Sequence, residues 1–173
     1  MERDPKNIPT IDEVVKSGSH IIVQVVKEAI GNKGAKITTN LSIPGRYLVL
    51  LPRSNEINIS RKINDKSEIK RLRKIGQNII KDNMGMILRT SSKGIEEDII
   101  LNEYKSLISI YNKIESQRNF IPTPKLLYKN LGLIYRIIRD NLNRDDYQII
   151  TNDKEIHNHI LKFGEYLNYF FGD

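Results

Sequence analysis

Apolar residues follow two different spacings along the chain, which predict strands mainly in its first half and helices mainly in its second. β-branched and alternating apolar residues are typical of strands. They predict strands at residues 20–27, 35–43 and 46–51, and a short one that includes Ile57, Ile59 and Ile63. A turn is predicted between the first two strands, where Gly31 and Gly34 can adopt positive φ.

Spacings of three and four residues between apolar positions predict amphipathic helices from residue 67 onwards. They are expected at residues 67–80, at 95–116, after the capping residue Asn130, and at 153–163, where Gly164 marks the end. The helix at residues 67–80 has a basic face, and such a face is more often solvated than functional. Short strands are expected at residues 86–89, 126–128 and 147–151. The predicted fold class is α+β, with a mixed β-sheet and amphipathic helices in the second half.

Composition excludes several classes of protein. The chain has 173 residues, of which 39% are hydrophobic and 28% charged, and this balance is typical of a soluble globular protein. Cysteine is absent, which excludes thiolate metal sites and a cysteine nucleophile and fits a reducing, cytoplasmic setting. No apolar run is long enough to span a bilayer. The net charge of +7 is compatible with a polyanionic partner such as nucleic acid.

Five blocks of residues, in order along the chain, carry a resemblance to a known family. The first and most specific is Lys27-Glu28, Gly31-Asn32-Lys33-Gly34-Ala35, Thr38-Thr39, Ser42, Gly45-Arg46-Tyr47-Leu48-Val49-Leu50 and Pro52. The others are Ile59-Ser60-Arg61-Lys62-Ile63, Gly85-Met86-Ile87-Leu88-Arg89-Thr90, the segment 136–142 with its Arg139-Asp140 pair, and the segment 148–153. Through these blocks the chain resembles the bacterial ribonuclease E/G family over nearly its whole length.

The resemblance implies a division into three parts. Residues 1–40 would end an OB-type RNA-binding barrel, residues 41–143 would form a 5′-sensor region, and residues 144–173 would begin a ribonuclease-H-like segment. The carboxylates that hold catalytic magnesium in the intact family enzyme have no counterpart here, so no catalytic residue, metal ligand or cofactor is expected in this chain. The chain is therefore expected to be an interior fragment, or the product of a split or degraded gene.

Arg89 and Thr90 are the first candidates for chemistry. They are predicted at a strand end just before a helix, where a phosphate could meet a guanidinium, a hydroxyl and helix amides. The residues alone favour a structural interpretation, in which Thr90 caps a turn and Arg89 pairs with an acid such as Glu96. The resemblance instead assigns both residues to binding an RNA 5′-monophosphate.

Gly45 and Val49 complete the predicted phosphate site. Gly45 has no side chain, so its amide could approach a phosphate closely, although a plain Pro-Gly turn explains it equally well. Taken by itself, Val49 is interpreted as a core residue. The resemblance makes Gly45 a backbone donor to the phosphate and places Val49 beneath the terminal nucleotide.

Other RNA contacts are implied at five basic residues. Lys27 and Lys33 flank the turn between the two barrel strands, where an ordinary solvated lysine is an equally good interpretation. The further candidates, with lower weight, are Arg46, Arg61 and Lys62.

The resemblance thus predicts a non-catalytic portion of a ribonuclease E/G-type endoribonuclease that binds single-stranded RNA, preferably with a 5′-monophosphate. One alternative is a free-standing RNA-binding or regulatory module without catalytic activity. Another is a structural interaction protein that has lost RNA binding. No membrane partner is expected, and self-association through unpaired strand edges is left open.

Overall fold

The computed structural model describes residues 9–81, 83–118, 122–130, 132–141 and 148–171, without the side chains of residues 163–171. The chain divides into two compact units, residues 1–39 and residues 40–173. The described residues form two β-sheets and five α-helices, which confirms the predicted α+β class. The assignment of three family segments within the chain stays a prediction.

The first unit contains a β-hairpin. After helix α1, Ile11–Val14, strands β1, Gln24–Lys27, and β2, Lys36–Thr38, pair in antiparallel fashion. Gly31 in the connecting turn has φ +56°, as its predicted role requires. Both strands are shorter than predicted, since residues 20–23 and 39–42 lie outside them.

The second unit is built on a four-stranded sheet with strand order β3-β4-β6-β5. The strands are β3, Ile43–Pro44; β4, Leu48–Pro52; β5, Ile57–Ile59; and β6, Met84–Leu88. β6 pairs antiparallel with β4 and parallel with β5. A parallel pair needs a crossover connection, and helix α2, Lys66–Ile79, supplies it between β5 and β6.

Helices α2 and α3, Glu97–Gln117, bury their apolar sides in the core of this unit. Asp65 caps α2 by accepting hydrogen bonds from the amides of Ser67 and Glu68. The core joins these helices to the inner sides of β4 and β6, and its most deeply buried members are Leu48, Leu50, Leu72, Met86, Leu88, Ile100 and Tyr104.

Several sequence-based boundaries were wrong. Ile43 does not continue the hairpin but pairs with Leu50 in the second sheet. Residues 126–128, and those of 147–151 that the structure describes, form no strand. The last two helices are α4, Leu133–Asn141, and α5, Lys154–Phe171, so α5 continues past Gly164. Among the described residues, no helix is long and apolar enough to cross a bilayer.

The sheet of the second unit has an inner and an outer side. Along β4, Leu48 and Leu50 are buried, whereas Val49 between them is half-buried and points the other way. Val49 pairs directly with Ile87 of β6, which is also half-buried. Arg89 follows β6 with the parity of Ile87, so the pleat predicts that its side chain leaves the outer side of the sheet.

Candidate functional site

The guanidinium of Arg89 is held in one orientation by three groups. Its Nη1 and Nη2 atoms donate to the two carboxylate oxygens of Asp140, over 2.9 and 3.0 Å. Nη1 also donates to the carbonyl oxygen of Gly45 over 2.6 Å and to that of Arg46 over 3.2 Å. The acid that pairs with Arg89 is thus Asp140 of α4, rather than the expected Glu96.

Among the described residues, these contacts leave one edge of the guanidinium open. The described part of the chain offers no hydrogen-bond acceptor to Nε–H or to the second hydrogen of Nη2 of Arg89. These two N–H groups lie side by side and match two oxygens of a carboxylate or phosphate. The Arg89 side chain is 31% exposed, so solvent reaches it.

Asp140 is ionised and is itself held in place. Arg139, the neighbouring residue on α4, donates from Nε to Oδ1 of Asp140 over 2.9 Å. Partial burial works against ionisation of Asp140, but the hydrogen bonds from Arg89 and Arg139 outweigh it and lower its pKa to about 2. The hydrogen bond that Arg89 donates to Asp140 also raises the pKa of Arg89.

Side chains from other elements hold both the carbonyl and the amide groups of the loop between β3 and β4. Arg139, only 6% exposed, donates from Nη1 to the Pro44 carbonyl over 2.7 Å. Ser91 Oγ donates to the Arg46 carbonyl, which also accepts from Arg89. The carbonyls of residues 44–46 are therefore held by side chains from three segments. These are η1 (the short 3-10 turn Thr90–Ser92), Arg89 just before it, and α4.

Glu103 of α3 secures the amides of the same loop. It is completely buried, and its carboxylate accepts from the backbone amides of Arg46, of Tyr47 over 2.8 Å and of Leu48 over 2.9 Å. Burial raises the pKa of Glu103, against the opposing effect of these three amides. Sequence reasoning missed this residue. The signal was an acid on the apolar side of α3, three residues after Ile100 and four before Leu107.

Glu103 also explains why residue 45 is glycine. A Cβ atom at Gly45 would lie 2.5 Å from Cδ of Glu103, which is closer than two such atoms can approach. The Gly45 amide, predicted to meet a phosphate, donates to the Leu48 carbonyl over 2.8 Å. A phosphate would have to share or replace that bond, so the carbonyl of Gly45 has the better-defined role in this structure, as an acceptor for Arg89.

Thr90 lies beside Ser60, which follows β5. The two hydroxyl oxygens are 2.9 Å apart and share a hydrogen bond, and Thr90 itself is exposed. Arg61 and Lys62, predicted as RNA contacts, come directly after Ser60 and are exposed. Thr90 begins η1, whereas the predicted long helix α3 starts only at Glu97.

The structure brings some of the other predicted site residues to this region. Val49 lies on the outer side of the sheet, and the strand pleat predicts that Arg89, two residues after its partner Ile87, projects from the same side. It is only half-buried, so the alternative interpretation of Val49 as a fully buried core residue does not hold, and its place beneath a nucleotide stays a prediction. The Arg46 guanidinium stacks over the ring of Tyr47, 5.2 Å from its centroid. Lys27 and Lys33 belong to the first unit and are exposed in the hairpin.

Among the residues that the structure describes, no group of three or more His, Cys, Asp or Glu side chains could hold a metal ion. These described residues therefore do not fit the magnesium that the family resemblance implies for an intact enzyme.

Comparison with known proteins identifies the class to which this fold and site belong. Residues 42–169 match the ribonuclease E/G family, and the chain belongs to that family. The match includes the sheet, the loop at residues 44–48 and the Arg89–Asp140 pair.

Individual relatives agree with this assignment. The chain is 34% identical to the ribonuclease E of Synechocystis sp. over 143 residues, which are 83% of this chain and 21% of the relative. It is 30% identical to the ribonuclease G of Escherichia coli over 167 residues, 96% of this chain and 34% of the relative. A ribonuclease E/G-like protein of Pyropia yezoensis is 36% identical over 145 residues, 84% of this chain and 28% of the relative. The chain thus matches between 21% and 34% of the length of these relatives.

Proposed function

We propose that this chain is the part of a ribonuclease E/G-type endoribonuclease that binds single-stranded RNA and recognises its 5′-monophosphate, without cleaving RNA by itself. The observation that carries the proposal is the fixed guanidinium of Arg89 with one open edge. Membership of a ribonuclease family supports RNA as the ligand class.

The open edge suits a phosphate better than a hydroxyl. A terminal phosphate presents two oxygens to Nε–H and Nη2–H of Arg89, whereas a 5′-hydroxyl presents one uncharged oxygen. The other donors of Arg89 are already engaged by Asp140 and the loop carbonyls, so little side-chain entropy is lost when the phosphate binds. Preorganisation of this kind favours the ligand that can use both hydrogen bonds.

Thr90 and Val49 would complete the recognition. The Thr90 hydroxyl can donate to a phosphate oxygen while it still accepts from Ser60. Val49 offers apolar surface on the same side of the sheet for the first base or sugar. Within this proposal Arg89 provides the charge, and the other residues provide direction and shape.

The proposal is tested by binding, with two RNAs of one sequence that carry either a 5′-monophosphate or a 5′-hydroxyl. Arg89→Ala should weaken the preference for the phosphate by about 1–3 kcal/mol. Arg89→Lys should lose most of the preference as well, because an ammonium cannot offer two parallel N–H groups. Arg53→Ala is the matched control. Arg53 also pairs with an acid, Glu115, but it follows β4 at the end of the strand away from the loop at residues 44–48.

An equal loss of affinity for both RNAs in the Arg89 variants would contradict 5′-end recognition. The absence of catalysis is tested separately, by incubating the chain with magnesium and 5′-monophosphorylated RNA. Cleavage that disappears with a substitution inside residues 1–173 would contradict that part of the proposal.

A further inference from the structure

Helix α2 presents an uninterrupted basic face to solvent. At about 100° per residue, positions 66, 70, 73, 74 and 77 fall within an arc of about 100°. This arc lies opposite the side that carries the buried residues Leu72, Ile75 and Ile79. Its members are all exposed, and they are Lys66, Lys70, Arg73, Lys74 and Gln77.

The acidic residues near this face are engaged elsewhere. Asp65 accepts from the first amides of the helix, and Glu68 binds Arg71 through two hydrogen bonds of 2.8 Å. Arg71 in turn donates to the Ile95 carbonyl, so its guanidinium is tied to the segment before α3. Within the described residues, the four cations of the basic face form no salt bridge.

The basic face begins next to the proposed phosphate site. Thr90 contacts Ser60, and the exposed residues Arg61 and Lys62 lead from there towards the start of α2. Hydrogen bonds from Ser67 and Glu68 lower the pKa of the Asp65 carboxyl, and the charge of Lys93, just after η1, adds to this effect. The Gly94 amide donates to Glu68 over 2.8 Å, which ties the segment after Thr90 to the first turn of α2.

We infer that the exposed face of α2 is a second RNA-binding surface, which holds the sugar–phosphate backbone of the nucleotides that follow the bound 5′ end. The inference rests on the proposed function, which supplies the bound 5′ end, and adds a binding surface for the nucleotides that follow it. From Lys66 to Gln77 the face is about 16 Å long. At about 3.4 Å per stacked nucleotide, it can serve several phosphates.

The composition of the face favours a phosphate backbone over a protein partner. It has no apolar or aromatic side chain to fill a pocket on another protein, and such anchors dominate protein interfaces. Lysine and arginine side chains on an exposed helix gain affinity from polyanions chiefly by displacing counterions, which does not depend on base sequence. The predicted contact is therefore sequence-independent and sensitive to salt.

The test compares two double variants of the full chain that lose the same charge. Arg73→Gln/Lys74→Gln removes two cations from the basic face of α2. Lys105→Gln/Lys113→Gln removes two exposed cations from α3 and is the control. Dissociation constants are measured for a 5′-monophosphorylated dodecauridine and a 5′-monophosphorylated uridine dinucleotide, over a series of salt concentrations.

We expect the α2 variant to bind the dodecamer about tenfold more weakly, with a salt slope reduced by about 1–1.5. Its affinity for the dinucleotide, and its preference for a 5′-monophosphate over a 5′-hydroxyl, should equal those of the wild type. The α3 variant should bind both RNAs as the wild type does. Far-UV circular dichroism and a thermal unfolding curve verify that each variant is folded.

Equal loss of dodecamer affinity in both double variants would overturn the inference, because it would reflect net charge alone. Unchanged dodecamer affinity in the α2 variant would overturn it as well, with the proposed 5′-end recognition intact. The wild type could also show no 5′-phosphate preference while the α2 variant loses salt-dependent binding of the dodecamer. That result would support the α2 surface and contradict only the proposed function. A wild-type chain with no salt-dependent affinity for the dodecamer would overturn both.

Discussion

Arg89 and Asp140 meet end-on, through two nearly parallel hydrogen bonds of 2.9 and 3.0 Å, although they are 51 residues apart in the sequence. Arg89 follows the central strand β6 and Asp140 lies near the end of α4. The pair therefore joins the sheet to a helix and at the same time sets the direction of the guanidinium. Under the proposed function, this structural ion pair would also position the group that binds the ligand.

Removing the charge of Asp140 should loosen Arg89. Asp140→Asn retains one acceptor oxygen but directs an amide towards a guanidinium donor. We expect the preference for 5′-monophosphorylated over 5′-hydroxyl RNA to fall by about fivefold, because a mobile arginine binds phosphate less selectively. The measurement is the ratio of the two dissociation constants.

Glu115→Gln provides the comparison for this variant. It breaks the Arg53–Glu115 pair, which is 2.7 Å long and belongs to the same unit, without touching the site. It should leave the preference unchanged. A stronger preference in Asp140→Asn than in the wild type would show that Asp140 competes with the phosphate more than it positions Arg89.

The same pair predicts how stability depends on pH. The pKa of Asp140 is lowered from 3.8 to about 2, so its contribution is fully present above the unfolded-state pKa. It is lost as the pH falls from about 4 to about 2. After allowance for screening at a partly exposed pair, the contribution is about 1 kcal/mol.

Urea unfolding of wild type and Asp140→Asn over a range of pH checks this expectation. The difference in the free energy of unfolding should be constant near neutral pH and should vanish in acid. Comparing the two proteins removes the opposite effect of Glu103, whose pKa is raised in both. A difference that persists undiminished in acid would mean that the charge of Asp140 is not its source.

Gly45→Ala should destabilise the second unit by about 2–3 kcal/mol. The added methyl group would collide with the buried carboxylate of Glu103, which three amides hold in place. Gly34→Ala is the control, because a Cβ at that position meets nothing within 4 Å. Unfolding free energies from urea titrations measure both, and equal small effects would rule out the proposed collision.

Glu103→Gln should cost about 2–3 kcal/mol in the same assay, although glutamine is nearly isosteric. Its amide group would place two donors where backbone amides already donate. The phosphate preference should fall too, because the carbonyls of Gly45 and Arg46 that orient Arg89 belong to the loop that Glu103 fixes. A stable variant with normal preference would contradict this role of Glu103.

The helices were the best predicted elements of the fold. α2 begins and ends one residue earlier than predicted, since its apolar spacing and the acid before it define both its face and its start. Strand limits were less accurate, because a β-branched run such as residues 20–27 indicates propensity but not where a partner strand stops. Ile43 shows this well, since it leaves one sheet for another within a continuous apolar pattern.

The site was predictable in its residue types but not in its connections. Motif blocks led to Arg89, Thr90 and Gly45, and the structure places Gly45 against Arg89. Glu103 and Asp140 hold that arrangement from helices far along the chain, and neither partnership could be deduced from spacing. Long-range pairing of this kind depends on how helices dock on the sheet, which local patterns do not encode.

The loop at residues 44–48 is held by Arg89 after β6, by Glu103 of α3 and by Arg139 of α4. No single hairpin or helix can preform it, so the proposed recognition of a 5′ phosphate requires that all of these elements have docked. If the chain binds a 5′ phosphate as proposed, an incomplete or damaged chain should not bind it, and ligand binding would then report that folding is complete.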